Sequence, residues 1–178
     1  MANALHRNRD AADEPDPVTT IRPPHLADGS RLYALAQQAG GLDLNSSYAY
    51  FLVASHFSAS SALVEDAAGK ALGFMSAYPF VTAQGQQHLF IWQVAVLKEA
   101  RGQGLARAML EDILARPALA DICFVEGTVG PDNDASRRLF TGLAARRACP
   151  CEESLFLAGN QFPEPHADEL LLRVGPMQ

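Results

Sequence analysis

One segment near the middle of the chain limits the folds that the sequence can adopt. Residues 95–110 read AVLKEARGQGLARAML, in which an apolar, strand-like stretch passes through Arg101-Gly102-Gln103-Gly104 into a helical pattern. A strand that ends in a glycine-rich turn at a helix start exposes unpaired backbone N–H groups along the positive end of the helix dipole. Glycines let these amides approach an anion closely, and Arg101 adds a charged donor. The segment predicts an anion site within an α/β fold.

The same residues argue against two other phosphate-binding loops. The turn is not followed by the Gly-Lys-Ser/Thr ending of a nucleoside-triphosphate loop, and no third glycine stands at the Rossmann dinucleotide spacing. The alternative to an anion site is a plain strand-to-helix connection in which glycine only relieves crowding.

Composition favours a single globular domain. The chain has 178 residues, of which 48% are hydrophobic and 19% charged, as is ordinary for globular proteins. Residues 1–18 are polar and aperiodic, which predicts a disordered or loosely attached tail before one domain at 19–178. A formal charge of −6, with 14 Lys and Arg spread along the chain, argues against nucleic-acid binding.

Three further patterns concern the environment of the protein. The first residues lack the apolar stretch of a signal peptide, and no apolar run reaches the ~18–20 residues of a membrane span, so we predict a cytoplasmic protein without a membrane partner. Cys123, Cys149 and Cys151 are odd in number and form no metal quartet, which predicts reduced thiols. His56 and His88 have no companion ligands, so no metal site is predicted.

Hydrophobic periodicity predicts the element order βααβββαβαββ. The predicted strands lie at residues 20–22, 61–66, 71–80, 88–96, 121–129, 153–158 and 169–174. Helices are predicted after Asp28, which we expect to cap the first of them, then around Tyr50, from about Gly104 to Ala115, and after residues 131–134. Antiparallel hairpins combined with strand-helix-strand units indicate an α/β arrangement.

The glycine turn also resembles a known family. Residues 101–106, RGQGLA, are similar to the Q/R-x-x-G-x-G/A pyrophosphate loop of the GCN5-related N-acetyltransferase (GNAT) superfamily. Residues 93–96 stand where that superfamily has its central strand, and residues 133–140 resemble its second motif. The resemblance implies the GNAT fold, with a central mixed, mostly antiparallel sheet flanked by helices, and acetyl-CoA as co-substrate.

The resemblance assigns the cofactor contacts. It implies that loop amides hold the pyrophosphate, that backbone groups of the central strand hold the pantetheine arm and acetyl carbonyl, and that Asn133 contacts the cofactor from the next helix. Capping of that helix is the alternative for Asn133. The implied cofactor-binding residues are Val94, Val96, Arg101, Gly102, Gln103, Gly104, Leu105, Ala106 and Asn133.

Four longer blocks are similar to one GNAT family, the L-2,4-diaminobutyrate acetyltransferases of ectoine biosynthesis. They are residues 42–50, residues 91–96 with 100–106, residues 131–136 with 139–140, and residues 172–176. This resemblance implies acetyl transfer to the γ-amine of diaminobutyrate by direct attack on the thioester, and a homodimer. An acetyltransferase for another small amine and a non-catalytic acyl-CoA sensor remain as alternatives.

Two carboxylates are candidates for the catalytic proton transfer. Amide formation requires a neutral amine, yet an alkyl amine of pKa ~10 is almost wholly protonated at neutral pH. Glu126 stands in an otherwise apolar strand, where a carboxylate is unfavourable unless it faces a cleft. Glu164 lies in the loop 161–168, which could fold back over the cleft. Solvent exposure is the alternative for both residues.

Four further residues are candidates for binding the diamino acid. Asp43 and Tyr48 lie on the loop that crosses the acceptor cleft in the superfamily, and we expect an ion pair from Asp43 and a hydrogen bond from Tyr48. Trp92 stands two residues before Val94, which predicts the same strand face and a wall for the substrate. His166, in the loop of Glu164, could accept the amine proton. The alternatives are capping for Asp43, core packing for the two aromatic residues and a solvated loop for His166.

One position departs from the superfamily pattern. Many members have a tyrosine where this chain has Phe140, and that tyrosine protonates the departing thiolate. A phenylalanine donates no proton. The thiol of coenzyme A is acidic enough to leave as thiolate, or a water or another side chain supplies the proton.

Overall fold

The computed structural model describes residues 19–177. The predicted tail at residues 1–18 lies outside the described residues. Within them the chain follows the predicted order of strands and helices. The strands are β1 (Thr20–Arg22), β2 (Ala62–Glu65), β3 (Ala71–Val81), β4 (Gln87–Val96), β5 (Ile122–Val129), β6 (Cys151–Leu157) and β7 (Glu169–Val174). The α-helices are α1 (Gly29–Ala39), α2 (Ser47–Ser55), α3 (Leu105–Leu114) and α4 (Asp134–Arg147).

The strands form a seven-stranded sheet in the order β1-β2-β3-β4-β5-β7-β6. Only β4 and β5 pair in parallel; the other neighbours are antiparallel. Apolar side chains of α1 and α2 pack on one face of the sheet, and those of α3 and α4 pack on the other. The predicted mixed, mostly antiparallel sheet flanked by helices is confirmed. No helix among residues 19–177 is long and apolar enough to cross a membrane.

Asp28 stands at the N-cap position of α1, but its side chain does not cap the helix. Its carboxylate accepts hydrogen bonds from Arg22 at 2.7 Å and from Arg31 at 2.8 Å. The bonds to Arg22 hold the pKa of the Asp28 carboxyl well below its usual range. Arg22 also donates to Glu65 at 2.7 Å, so the cluster joins β1, β2 and α1. The predicted cap was wrong because two arginines compete for the carboxylate.

The parallel pair β4–β5 is short. Register pairing runs from Gln87 opposite Ile122 to Phe90 opposite Glu126, and β5 then continues against β7 alone. At the end of the pairing, a Cβ atom added to Gly127 would lie 3.1 Å from the Ile91 carbonyl oxygen. The strands therefore separate immediately after a close backbone approach, which leaves a gap beside the second half of β4.

A β-bulge in β4 stands at the same place. Ile91 lies opposite Ala77 of β3 and Gln93 lies opposite Ser76, so Trp92 is the extra residue with no partner. A bulge bends its strand and re-aims side chains, and bulges are common next to functional sites. The second half of β4 is thereby turned away from β5.

Candidate active site

The glycine turn forms an open loop at the start of α3. Gly102 and Gly104 have φ values of 81° and 75°, in the left-handed region that favours glycine, and Gly104 is the N-cap residue of α3. A Cβ atom added to either glycine would meet nothing within 4 Å. The first amides of α3 therefore open onto free space at the positive end of the helix, as the sequence predicted for an anion site.

The side chain of Arg101 has two backbone partners. Its Nε atom donates to the Val96 carbonyl oxygen at 3.1 Å, and Nη2 donates to that of Ala39 at 2.6 Å. These bonds fasten the loop to the end of β4 and to the last turn of α1. The sequence predicted a phosphate contact instead, and that contact stays a prediction beside the bracing role.

The second half of β4 presents a free backbone edge. The N–H of Gln93 donates to the Ser76 hydroxyl, and the N–H of Leu97 donates to the Leu72 carbonyl, so both point towards β3. Because strand residues alternate in direction, the backbone groups of Val94 and Val96 point into the gap beside β5, where the Val96 carbonyl oxygen already accepts the hydrogen bond from Arg101. These are the two residues for which the sequence predicted backbone contacts.

The bulge corrects one step of the sequence reasoning. Val94 packs against the core beneath α3 and α4, whereas Trp92 is 40% exposed and lines a cleft on the opposite face. The expectation that both side chains share a face was wrong, because an extra residue between Ile91 and Gln93 interrupts the period of two. The exposure of Trp92 also overturns the core-packing alternative.

That cleft has a volume of about 720 Å³. We call it the aromatic cleft, because six of its eight lining residues carry aromatic rings. The rings come from four parts of the fold, namely the segment after α2 and strands β3, β4 and β6, and strand β5 adds a carboxylate and a hydroxyl group. The lining residues are Phe57, Tyr78, Phe80, Phe90, Trp92, Glu126, Thr128 and Phe156.

Glu126 is the only acidic side chain among these lining residues. It is 4% exposed, so the alternative of a solvated strand edge is wrong. Its Oε1 atom binds His88 Nδ1 at 3.0 Å and also accepts a hydrogen bond from Arg173. Among residues 19–177, Oε2 has no hydrogen-bond partner. A buried, paired carboxylate with one oxygen left for the cleft suits an ammonium group.

The cleft contains a tyrosine that the sequence reasoning missed. Tyr78 stands opposite Phe90 in the β3–β4 register, and the two rings stack with centroids 5.3 Å apart. Burial raises the pKa of Tyr78 above its ordinary value, and the charge of Glu126 acts in the same direction. The phenol therefore stays protonated and can donate a hydrogen bond. Tyr78 and Phe80 stand two residues apart in β3, and this period-two spacing could have indicated that both side chains lie on one strand face.

Two predicted substrate-binding residues meet at one side of the site. His166 Nε2 lies 3.7 Å from Asp43 Oδ2 and 3.9 Å from Glu169 Oε1. A hydrogen bond with the Ala167 carbonyl raises the pKa of His166, and both carboxylates add to this. Glu169 was not foreseen, although its position three residues after His166 could have indicated it.

The loop of Asp43 is joined to the strand of Trp92. Gln93 Nε2 donates to the Asp43 carbonyl oxygen at 2.8 Å, so the loop before α2 lies over β4 next to the bulge. The Asp43 carboxylate itself is almost fully exposed and caps no helix. Tyr48 is 68% exposed, so its core-packing alternative is wrong. The predicted acceptor loop is thus close to the cleft, with its polar groups in solvent.

Three other predicted positions have clear surroundings. Asn133 caps α4, since its Oδ1 atom accepts the N–H of Ser136 at 3.1 Å. Phe140 is 3% exposed and packs near Gly127, at the point where β4 and β5 separate. Glu164 is exposed, and within residues 19–177 its carboxylate makes no ion pair and lines no part of the aromatic cleft. The structure does not bring Glu164 to the site.

The described residues hold no group of three or more His, Cys, Asp or Glu side chains arranged to bind a metal ion. The chemical groups at the site are backbone amides in the loop, free backbone in β4, one buried carboxylate, a phenol and an imidazole between two carboxylates. An amide cradle for a diphosphate that leads along an open strand to a carboxylate defines an acyl-coenzyme A-dependent N-acyltransferase.

Comparison with known proteins agrees with this class. The family model described as "Acetyltransferase (GNAT) family" matches residues 30–143. The chain is 44% identical to the L-2,4-diaminobutyric acid acetyltransferase of Bordetella parapertussis, over 88% of this chain and 83% of that protein. It is 40% identical to the enzyme of the same name from Halomonas elongata, over 89% of this chain and 81% of that protein.

A solved structure extends the likeness to the backbone. Diaminobutyrate acetyltransferase EctA from Paenibacillus lautus, in complex with its substrate L-2,4-diaminobutyric acid and coenzyme A, superposes with a TM-score of 0.83. It is 37% identical, and the match covers 90% of this chain and 96% of that chain. The chain belongs to the GNAT acetyltransferases and, within them, to the L-2,4-diaminobutyric acid acetyltransferase family.

Proposed function

We propose that the protein transfers acetyl from acetyl-CoA to the γ-amino group of L-2,4-diaminobutyrate, giving N4-acetyl-L-2,4-diaminobutyrate for ectoine biosynthesis. The observation that carries the proposal is the likeness to the Paenibacillus lautus enzyme, whose structure contains diaminobutyric acid and coenzyme A. The match covers 90% of this chain and 96% of that chain.

The residues present fit acetyl-CoA as co-substrate. Both loop glycines leave the space that a Cβ would fill, so the amides of residues 102–106 can surround a diphosphate. Val94 offers its backbone groups, and Val96 its N–H, to the pantetheine arm along the gap. Arg101 holds the loop and stands beside the phosphates, and the amide group of Asn133 contacts the cofactor from α4. When bound, acetyl-CoA supplies an acyl group activated as a thioester.

The acceptor amine lies between the aromatic cleft and the loop of Asp43. Trp92 forms the wall between them, and an aromatic face beside an ammonium adds a cation–π attraction. Asp43 pairs with the ammonium that does not react, and Tyr48 donates a hydrogen bond to the substrate carboxylate. His166 stands next to Asp43, where it completes the polar side of the pocket.

Glu126 receives the proton of the reacting ammonium, either directly or through a water. The neutral amine then attacks the acetyl carbonyl carbon, the new C–N bond forms, and the C–S bond breaks as the thiolate leaves. The second proton lost from nitrogen passes to solvent or to the thiolate. Glu164 is the alternative acceptor suggested by the sequence, but its exposed position makes Glu126 the stronger candidate.

Phe140 has no hydroxyl group with which to protonate the departing thiolate, and Tyr78 takes over part of that role. Its phenol lines the cleft and stays protonated, so it donates a hydrogen bond where negative charge develops. Full protonation of the thiolate is not required, since the thiol of coenzyme A is acidic enough to leave as the anion.

An acceptor comparison tests the proposal. With saturating acetyl-CoA, we expect steady thiol release with L-2,4-diaminobutyrate and at least tenfold lower kcat/KM with 1,3-diaminopropane. The reason is that 1,3-diaminopropane keeps both amines but lacks the α-carboxylate, so the groups that bind the carboxylate stay unpaired. Thiol release is followed with a chromogenic disulfide.

Two results would contradict this assignment. Higher kcat/KM for 1,3-diaminopropane or a polyamine would make the protein an acetyltransferase for another small amine. Acetyl-CoA binding measured by calorimetry, with no thiol release for any diamine, would favour the acyl-CoA sensor.

We also propose a homodimer in the cytoplasm. Edge strand β6 exposes Leu155 and Phe156 at 58% and 51%, and exposed apolar side chains on a sheet edge favour pairing with a second copy. Sedimentation velocity is expected to give twice the 19.1 kDa chain mass, and a single 19.1 kDa species at micromolar concentration would oppose the dimer.

The three free thiols fit the proposed cytoplasmic location, because the cytoplasm is a reducing compartment. Recovery of the protein in a membrane fraction would oppose that location.

A further inference from the structure

We propose that His88 is a positioning residue that holds the Glu126 carboxylate with one oxygen aimed into the aromatic cleft. The inference rests on the proposed catalytic role of Glu126 and adds a residue that the proposed mechanism does not yet use. His88 lies on β4, 38 positions before Glu126 in the chain.

The hydrogen bonds at Glu126 define which atom of His88 carries a proton. Arg173 Nε donates to Glu126 Oε1, and His88 Nδ1 lies 3.0 Å from the same oxygen. The carboxylate that forms a salt bridge with Arg173 only accepts hydrogen bonds, so we assign His88 Nδ1 as the second donor. With two donors on Oε1, the other oxygen is left for the cleft.

The surroundings of His88 are those of a core phenylalanine. It is 2% exposed, and its ring lies between those of Phe124 and Phe80, with centroids 4.6 Å and 5.2 Å away. Its Nε2 atom is buried without a hydrogen-bond partner among residues 19–177. A buried, unpaired polar atom is unfavourable, and packing alone would be served better by a hydrocarbon ring. The bond from Nδ1 to Glu126 is therefore the reason for an imidazole at this position.

The charged and titratable groups around Glu126 come from four strands. Tyr78 faces it from β3, His88 from β4 and Arg173 from β7, and Glu152 of β6 stands opposite Arg173 in the register. The donors His88 and Arg173 both hold Oε1, and Arg173 is 42% exposed in its side chain, so water competes for its hydrogen bond. Removal of the buried donor His88 should therefore leave the carboxylate less firmly oriented.

The test compares His88→Phe with His88→Asn. Phenylalanine keeps the ring between Phe80 and Phe124 but has no donor, whereas the asparagine amide places a donor close to the position of Nδ1. For His88→Phe we expect kcat with diaminobutyrate to fall roughly tenfold and KM for acetyl-CoA to stay within twofold. His88→Asn should recover most of kcat.

The Glu126→Gln background separates positioning from packing. In that background, His88→Phe should lower kcat no further, because the carboxylate that it serves is gone. Thermal unfolding checks that each variant folds, and His88→Leu, which also lacks a donor, replaces His88→Phe if that variant does not fold. His25→Phe, at an exposed histidine before α1, is the control for a surface ring and should match the parent.

The failure of this inference can be distinguished from that of the proposed function. If Glu126→Gln lowers kcat but folded His88→Phe keeps the parental kcat, the positioning role is wrong and the function stands. Equal further losses from His88→Phe in both backgrounds would mean a packing role and would also overturn the inference. If Glu126→Gln itself has no effect, the role of Glu126 in the proposed function fails first.

Discussion

Glu126→Gln is expected to lower kcat for diaminobutyrate by about 100-fold or more, the scale of a lost proton acceptor. Glutamine keeps the shape of the side chain, and its carbonyl oxygen can still accept from Arg173 and His88. It cannot take a proton from the substrate ammonium or pair with its charge. Initial rates at saturating acetyl-CoA and diaminobutyrate, measured from pH 6 to 10, give this comparison; in the parent, activity should fall on the acidic side of the profile.

Glu152→Gln is the matched control, because Glu152 is an exposed carboxylate opposite Arg173 on the neighbouring strand β6. Its kcat should stay within twofold of the parent. A Glu126→Gln variant with nearly parental kcat would remove Glu126 from the chemistry. If Glu164→Gln or Glu169→Gln lost activity instead, the proton acceptor would lie on the loop side of the site, with His166.

Gly104→Ala is expected to raise KM for acetyl-CoA by tenfold to a hundredfold. Gly104 has a φ of 75°, where a Cβ adds about 1–2 kcal/mol of strain, and the added methyl group would occupy the open space in front of the loop amides. Loss of one or two charge-assisted hydrogen bonds to a phosphate corresponds to about 1–3 kcal/mol. KM for diaminobutyrate should change less, since its proposed pocket is formed by other residues, around Trp92 and Glu126. Calorimetric titration with coenzyme A measures the same loss without turnover.

Gly69→Ala provides the same backbone strain away from the site. Gly69 lies in the turn between β2 and β3 with a φ of 77°, and an added Cβ there also meets nothing within 4 Å. The variant should lose a similar amount of stability but bind coenzyme A like the parent. Equal coenzyme A affinity in the parent, Gly104→Ala and Gly69→Ala would mean that the turn is only a strand-to-helix connection.

The sequence predicted the order of elements because that information is local. Period-two and helical patterns depend on neighbours within a few residues, and the predicted strand ends fall within about two residues of those in the structure. The anion loop was predicted for the same reason, since the strand, both glycines and the helix start are contiguous in residues 95–110. Asp28 was a misleading local signal, because its arginine partners come from β1 and α1.

The acceptor side of the site depends on contacts that periodicity does not encode. Glu126 was noticed as a charge in an apolar strand, but its partners His88 and Arg173 lie on β4 and β7. The bulge at Trp92 is set by pairing with β3, and one extra residue exchanges the faces of the strand. The rings of Phe57 and Phe156 reach the cleft from segments about 100 residues apart, which only the fold brings together.

Identification of the product by NMR tests the central claim most directly. After incubation of the protein with acetyl-CoA and L-2,4-diaminobutyrate, the account predicts an acetyl group on the γ-nitrogen, seen as an amide proton coupled to the γ-methylene protons, and one equivalent of free coenzyme A. An acetyl group on the α-nitrogen, with its amide proton coupled to the α-proton, or no acetylated diamino acid at all, would contradict it.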